Sequence, residues 1–459
     1  MADRRKLLKT AMKKRRIRLS ATQIIAIGFA AIILLGAGLL CLPAASRSGV
    51  SCGFFPALFT ATSATCVTGL VLFDTYTQWS PFGQAVIITL IEIGGLGFMS
   101  AASTFVFLLR RKVGLRQRMV IAQALNLNDM DGVVKIQKLV ITGSLSIQGI
   151  GALILFLRFL PEFGFRRALA WGVFHSISAF CNAGFDLFGY IAPGQSLILF
   201  NDDPIICLTL MALVTVGGLG FLVWEELARV RSFKKFSVYT KLVLIMTVSV
   251  LVIGTVVISI LEWNNPATIG NMPVWQKIMN AFFQTGTLRT AGFVTVDQMA
   301  LRDATKAFAI LIMLIGGSSG STAGGLKTVT VLVLLLFIWA KARGKESVHV
   351  FKHNIPGAKA VDAMTITFIT VMLSVVGGML ICTVAPVSFL DSWYEAVSAI
   401  CTVGLTAAGT ASLGMAAQSV LIAFMYFGRV GVLTLSLGFL MGNKAKDRFQ
   451  YADTNLLIG

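Results

Sequence analysis

Long apolar runs separated by short polar segments dominate the pattern of this chain. The runs 24–42, 86–109, 139–157, 205–224, 242–261, 363–384 and 420–441 are each long enough to cross ~30 Å of hydrocarbon. An eighth, 304–340, is longer and carries a polar interruption. Between the two members of each successive pair lies a shorter apolar segment, at 55–66, 168–181, 274–288 and 392–401. These segments are too short to span and are predicted to be re-entrant helices. Each runs into a turn centred on glycine: Ser63-Ala-Thr-Cys-Val-Thr-Gly69-Leu, Ser178-Ala-Phe-Cys-Asn-Ala-Gly184-Phe, Gly286-Thr-Leu-Arg-Thr-Ala-Gly292-Phe and Ser398-Ala-Ile-Cys-Thr-Val-Gly404-Leu. From Gly69, the steps to Gly184, Gly292 and Gly404 are 115, 108 and 112 residues. One theme at near-constant spacing predicts four like units around an axis where the turns meet. The expected fold is an all-α integral membrane protein. It has eight transmembrane helices and four re-entrant helices around a central pore. The expected units are 21–118, 119–236, 237–346 and 347–447, flanked by a basic tail 1–20 and a C-terminal tail 448–459.

Composition removes the soluble alternatives. Of 459 residues, 56% are hydrophobic and only 13% charged. A net charge of +19 would suit a nucleic-acid partner, but its distribution points to a lipid bilayer instead. Basic residues crowd the N-terminal tail and recur in every second loop (Arg110 to Arg118, Arg229 to Lys235, Lys341 to Lys359, Lys444 to Arg448). The alternate loops hold most of the loop acids, among them Asp74, Asp186, Asp202, Asp203, Asp297, Asp303 and Asp391. This asymmetry places both termini in the cytoplasm of a plasma-membrane protein, with the glycine turns entering from outside. The seven cysteines form no CxxC pair, so neither a disulfide framework nor a zinc site is supported. With three scattered histidines and no phosphate-binding or nucleophile motif, no enzyme and no cofactor are expected.

The turns suggest chemistry. Irregular backbone at membrane depth survives only inside protein or beside water, so the turns should face a pore. Thr402-Val403-Gly404 resembles the Thr-Val-Gly of potassium-channel filters; Val67-Thr68-Gly69, Asn182-Ala183-Gly184 and Thr290-Ala291-Gly292 keep only the glycine. Glycine permits the positive φ that aims carbonyls inward, and the C-terminal end of the half-helix behind it adds negative potential. A ring of such carbonyls replaces the water shell of a cation. A single glycine after a short helix would be an ordinary C-cap; four at equal spacing are not so explained. Cys66, Cys181 and Cys401 precede their glycines by three residues and are expected to pack behind the turns. The third unit has Arg289 there. Its guanidinium is expected to face away from the ion, paired with backbone carbonyls or a carboxylate, with Glu395 as candidate.

The second helices also repeat. Gly94-Gly-Leu-Gly-Phe98 and Gly217-Gly-Leu-Gly-Phe221 suit small-residue helix packing. The third unit instead carries Gly316, Gly317, Ser318, Ser319, Gly320, Ser321, Thr322, Ala323, Gly324 and Gly325. An unbroken helix over 304–340 would reach roughly 55 Å, and this decapeptide is a poor helix former. It is predicted to be an unwound loop between half-helices 308–315 and 329–339, affordable only beside water. The fourth unit carries Gly428-Arg429-Val-Gly431. A cation at this depth costs at least ~2.5–3.5 kcal/mol, so Arg429 must face protein or water. It is either an electrostatic barrier below the turns or an arginine paired inside the bundle, with Glu92 as candidate.

Taken together, the four turns, the Gly/Ser decapeptide and Gly-Arg-Val-Gly resemble the Trk/Ktr/HKT superfamily of potassium transporters from residue 20 to the end. With no room for an extra N-terminal helix pair, the chain is similar to the membrane subunit of a Ktr-type system. The resemblance implies a homodimer with one pore per subunit, selective potassium uptake, sodium as an activator, and a cytosolic ring of nucleotide-binding regulatory subunits of the ATP/ADP or NAD type. It implies a filter at the twelve turn residues 67–69, 182–184, 290–292 and 402–404, with potassium bound there alone. It also implies that loop 316–325 is an intramembrane gate and that Arg429 sits at it. A stoichiometric sodium–potassium symporter is the alternative; no acidic cluster inside the spans offers its sodium site. Loop and arginine are expected to limit flux without touching the filter.

Overall fold

The computed structural model describes residues 21–97, 133–345 and 347–431. Both tails, the 110–118 basic cluster and the far ends of the runs 86–109 and 420–441 lie outside the described residues. The principal helices are α1 (Ala21–Leu40), α2 (Phe54–Cys66), α3 (Pro81–Leu96), α4 (Val133–Phe180), α5 (Pro204–Leu219), α6 (Phe221–Arg229) and α7 (Val238–Glu262). They continue as α8 (Val274–Thr287), α9 (Asp303–Leu314), α10 (Thr328–Ala342), α11 (Gly357–Val384), α12 (Phe389–Ile400) and α13 (Met415–Val430). A hairpin of β1 (Val348–Val350) and β2 (His353–Ile355) lies between α10 and α11.

Local sequence sets where these helices begin. Two of the second helices start with a capping side chain followed by proline at the first helical position. The Ser80 hydroxyl accepts from Gly83 N before Pro81, and the Asp203 carboxylate accepts from Ile205 N and Ile206 N before Pro204. Ser237 and Ser388 cap α7 and α12 in the same way.

Where the second helices end differs from expectation. The runs 86–109, 205–224 and 420–441 were each expected to be one span. Instead α3, α5 and α13 stop at Gly97, Gly220 and Gly431, whose φ values are 87°, 92° and 94°. Hydropathy reads straight through a glycine; a left-handed backbone there ends the helix. After Gly220 the chain turns by 96° into α6. Among the described residues four helices (α1, α4, α7 and α11) are long and apolar enough to cross a membrane, and the bent pair α5–α6 makes up to five. α4 is two helices joined at a kink at Gly164 (φ 71°), with the expected span 139–157 before it and the expected short helix 168–181 after it.

The long helices face outward, with Leu35, Ile150, Val252, Ile260 and Phe368 exposed as lipid-facing surface requires. The short helices are the core: most of α2, α8 and α12 is buried. Packing between groups is cyclic. α3 packs on α4, α5 on α8, α9 on α12, and α13 returns to α2. The Tyr426 hydroxyl in α13 donates to the Ala26 carbonyl of α1 at 2.8 Å, tying the last element to the first.

Candidate ion path: four glycine turns and a glycine–serine loop

Each short helix (α2, the 165–180 part of α4, α8 and α12) ends in the same unusual way. Val67, Asn182, Thr290 and Thr402 hold φ of 57°, 61°, 68° and 53°. Two residues later Gly69, Gly184, Gly292 and Gly404 hold 96°, 69°, 80° and 91°. A β-branched residue in the left-handed region costs of order 1–3 kcal/mol, so strain is built in at Val67, Thr290 and Thr402, while Asn182 takes the same conformation more cheaply. The amides between these positions turn back into their own helices: Thr68 N to Ser63 O, Ala183 N to Ser178 O and Val403 N to Ser398 O at 2.8 Å, Ala291 N to Thr287 O at 2.9 Å. Hydroxyls of the last helical turn brace the far side. Ser63 Oγ and Ser398 Oγ accept from Gly69 N and Gly404 N at 3.1 Å; Ser178 Oγ and Thr287 Oγ1 donate to Phe185 O and Phe293 O at 2.7 Å.

The four turns meet, and they meet in a circle. A Cβ on Gly69 would lie 2.6 Å from the Ala183 carbonyl oxygen, one on Gly184 2.8 Å from that of Ala291, and one on Gly292 2.8 Å from that of Val403. A Cβ on Gly404 would strike the Thr68 carbonyl, which closes the round. All twelve turn residues are buried. Among the described residues, the carbonyls of Thr68, Ala183, Ala291 and Val403 accept no hydrogen bond. Buried carbonyls are almost always paired, so four converging without donors need another partner.

The glycine pairs of the second helices do more than pack. A Cβ on Gly94, Gly217 or Gly428 would strike the carbonyl of Thr65, Phe180 or Ile400, each four residues before the glycine of its own turn. The second helix therefore lies directly against the end of its short helix. Cys66, Cys181 and Cys401 are buried free thiols behind the turns. Gly95 sits against Cys181, whose thiol donates to the Glu92 carboxylate at 3.2 Å.

Residues 316–325 form the expected non-helical loop between α9 and α10. Its base is closed by Gly316 N to Leu326 O (2.9 Å), Leu326 N to Leu314 O (3.1 Å) and Thr328 N to Gly317 O (3.0 Å). Its tip docks on the break between α5 and α6. Ser318 N donates to Gly218 O at 3.0 Å, Thr322 N to Gly217 O at 3.3 Å, and Ser318 Oγ to Leu219 O. These are end-of-helix carbonyls without intrahelical partners, so the loop supplies what the broken helix lacks. In return Phe221 N donates to Gly320 O at 2.8 Å and the Tyr239 hydroxyl to Ser319 O at 3.1 Å.

Arg429 joins this loop to the first group. It donates to Thr322 O at 2.6 Å, to Gly95 O at 3.1 Å and to Gly94 O. Glu92 is not its partner: that carboxylate takes Gln148 Nε2 at 2.9 Å and the Cys181 thiol. Nor does Arg289 pair with Glu395. Its guanidinium donates to Gly316 O at 3.4 Å and Thr247 Oγ1 at 3.5 Å, while Glu395 takes Thr406, Ala408 N and Thr410 Oγ1 just beyond the fourth turn. Both arginines donate to carbonyls, the alternative expected for Arg289, and neither candidate carboxylate is used; among the described residues Arg289 Nε is left without a partner. The expectation that the loop stands clear of the turns also fails. Thr322 Oγ1 lies 3.3 Å from Asn182 Oδ1, and a Cβ on Gly324 would strike Thr402 Oγ1. Sequence reasoning missed the contributions of Tyr239 and of Lys327, whose ammonium donates to Ala323 O at 2.8 Å. A polar side chain facing a main-chain carbonyl leaves no pattern in the sequence.

Comparison with known proteins identifies the family. The family model described as "TrkH: Cation transport protein" matches residues 5–446. The chain is similar to the potassium/sodium uptake protein NtpJ of Enterococcus hirae, 39% identical over 98% of this chain and 100% of that protein. It is also similar to the Ktr system potassium uptake protein B of Bacillus subtilis, 38% identical over 96% of this chain and 98% of that one. In fold it resembles the crystal structure of the potassium transporter TrkH from Vibrio parahaemolyticus, with a TM-score of 0.73 and 19% identity, covering 93% of this chain and 86% of that chain. With several long apolar helices and transporters as relatives, this is a multi-pass membrane protein and not an enzyme. The chain belongs to the TrkH family of cation transport proteins.

Proposed function

We propose that the chain carries potassium ions into the cell through a gated, channel-like pore whose selectivity filter is the ring of four glycine turns. The observation that carries this reading is the circle of buried carbonyls at Thr68, Ala183, Ala291 and Val403 that no donor among the described residues satisfies. Such a ring is costly when empty and favourable around a dehydrated monovalent cation, which offsets the strain at Val67, Thr290 and Thr402. The ends of four half-helices aim their negative potential at the same point. The names of NtpJ, a potassium/sodium uptake protein, and of the Ktr potassium uptake protein make potassium the ion to propose.

In this reading the units 21–118, 119–236, 237–346 and 347–447 are helix–pore-loop–helix repeats around the ring, and the second helices break where they pass it. Loop 316–325, held by Arg429, is the gate, in its docked position in this structure. The protein lies in the plasma membrane with both termini inside. The basic cytoplasmic loops present a positive surface to an acidic cytosolic nucleotide-binding ring, and two copies form a homodimer; the name of the Ktr system protein supports only that there is more than one component. Sodium acts as an activator rather than a second substrate.

Flux in liposomes tests the reading. The wild type should pass potassium and rubidium well ahead of sodium. Gly404→Ser should reduce that discrimination, because a side chain there strikes the Thr68 carbonyl. Unaltered discrimination would defeat the filter assignment. Potassium flux that required a sodium gradient in fixed ratio would establish the symporter instead.

A further inference from the structure

We propose that Thr322 and Asn182 couple the ion in the filter to the position of the loop, so that the loop reads which cation the ring holds. The proposal rests on the filter and gate reading above. It starts from a contrast among the four left-handed residues. Val67 has no polar side chain, and the hydroxyls of Thr290 and Thr402 are buried without a partner among the described residues. Asn182 alone among them reaches polar partners in the described residues. Its Oδ1 lies 3.3 Å from Thr322 Oγ1, and its Nδ2 lies 3.5 Å from the carbonyl of Arg289, next to the third turn.

Thr322 is the residue of the loop where most ties converge. Its N–H donates to Gly217 O, its carbonyl accepts from Arg429, and its hydroxyl proton is shared between Phe180 O (3.0 Å) and Asn182 Oδ1. Phe180 O is the same carbonyl that Gly217 abuts. One side chain of the loop therefore spans the end of the second short helix and the left-handed residue that follows it. Asn182 has to stay left-handed for Ala183 to present its carbonyl to the ring. With a well-fitting cation the four carbonyls are held together and Asn182 is held with them. With the ring empty or poorly filled the carbonyls repel, the turn relaxes, and Thr322 loses its bond to Asn182 and keeps only Phe180 O. Coupling of this kind is reciprocal, so whatever undocks the loop also weakens ion binding in the ring.

The test uses the full-length chain in liposomes with a reporter cysteine, Ser319→Cys, in the half-buried loop tip. Labelling by a membrane-impermeant thiol reagent is read at that peptide by mass spectrometry, which sets the native cysteines aside. Labelling should be about 2- to 12-fold slower in potassium than in choline, the range one neutral hydrogen bond gives, with sodium between. Thr322→Val should remove the ion dependence, Asn182→Gly should do the same while keeping the left-handed turn, and the pair together should do no more than either alone. Thr322→Ser, which keeps the hydroxyl, should restore it and shows that bulk alone is not at issue. Gly404→Ser is run beside these for potassium over sodium flux. If it loosens discrimination while Thr322→Val leaves the ion dependence intact, the coupling is wrong and the filter stands. Labelling in the parent that ignores the ion has the same meaning. If Gly404→Ser leaves discrimination unchanged, the filter reading fails and takes the coupling with it. Should Ser319→Cys not fold, Ser321→Cys serves as reporter.

Discussion

Removing the guanidinium of Arg429 should release the loop. Of its three carbonyl partners, Gly94 and Gly95 belong to α3 and stay bound wherever the loop goes; only the 2.6 Å bond to Thr322 O distinguishes docked from undocked. A hydrogen bond to a charged group contributes roughly 1.5–3 kcal/mol, so Arg429→Ala should raise the undocked-to-docked ratio by about 10- to 150-fold. Water entering the vacated space moves the result toward the lower end. Rubidium uptake into liposomes holding the full chain without cytosolic partners reads the change, up to the point where the undocked state saturates. One further variant separates mechanical from electrostatic effects. Arg429→Lys keeps the charge but replaces a planar fork by a point donor that cannot bridge two elements. If the bridge is what holds the loop, Lys should raise flux nearly as much as Ala; if the charge alone blocks cations, Lys should behave like wild type. Unchanged or lower flux in folded Arg429→Ala protein would refute both and leave Arg429 as a helix-end cap.

Two further outcomes follow from the same contacts. Tyr239→Phe removes one neutral hydrogen bond to Ser319 O and should raise partner-free rubidium flux by about 2- to 12-fold, with ion preference unchanged; a shift in preference with no change in flux would contradict the docking role. Gly217→Ala places a methyl against the Phe180 carbonyl and should lower the thermal midpoint and the monodisperse yield in detergent, whereas the same change at Gly38, where a Cβ meets nothing, should leave both unchanged.

Much of the arrangement was legible in the sequence because it is written in composition and spacing. The four short helices fall close to their expected positions: 274–288 is observed as Val274–Thr287, and 55–66 as Phe54–Cys66. The Gly/Ser decapeptide interrupts its helix because poor helix formers between apolar flanks leave few options. The positive φ of the four turn glycines was legible, but the left-handed residue two places before each was not. Nothing in Val67 or Thr402 announces a left-handed residue, since the strain is imposed by the turns meeting around the ring. The early ends of α3, α5 and α13 were hidden because glycine counts as nearly neutral in an apolar run. Backbone carbonyls were among the partners expected for Arg289, but the carboxylate candidates, Glu395 for Arg289 and Glu92 for Arg429, failed for a different reason. Searching for a carboxylate presumes side-chain pairing, while broken helices offer unpaired carbonyls that every residue type possesses. The contact between Thr322 and Asn182 joins positions 140 residues apart, and only the closed circle of packing brings them together.

The central claim is that four buried carbonyls select the ion, and the most direct test is to see the ion there. A structure of the full-length protein determined in rubidium, with anomalous difference density, should show a peak on the axis within coordination distance of the carbonyls of Thr68, Ala183, Ala291 and Val403. The peak should weaken when sodium replaces rubidium. An empty ring with rubidium bound elsewhere along the path, or equal occupancy by sodium, would contradict the account.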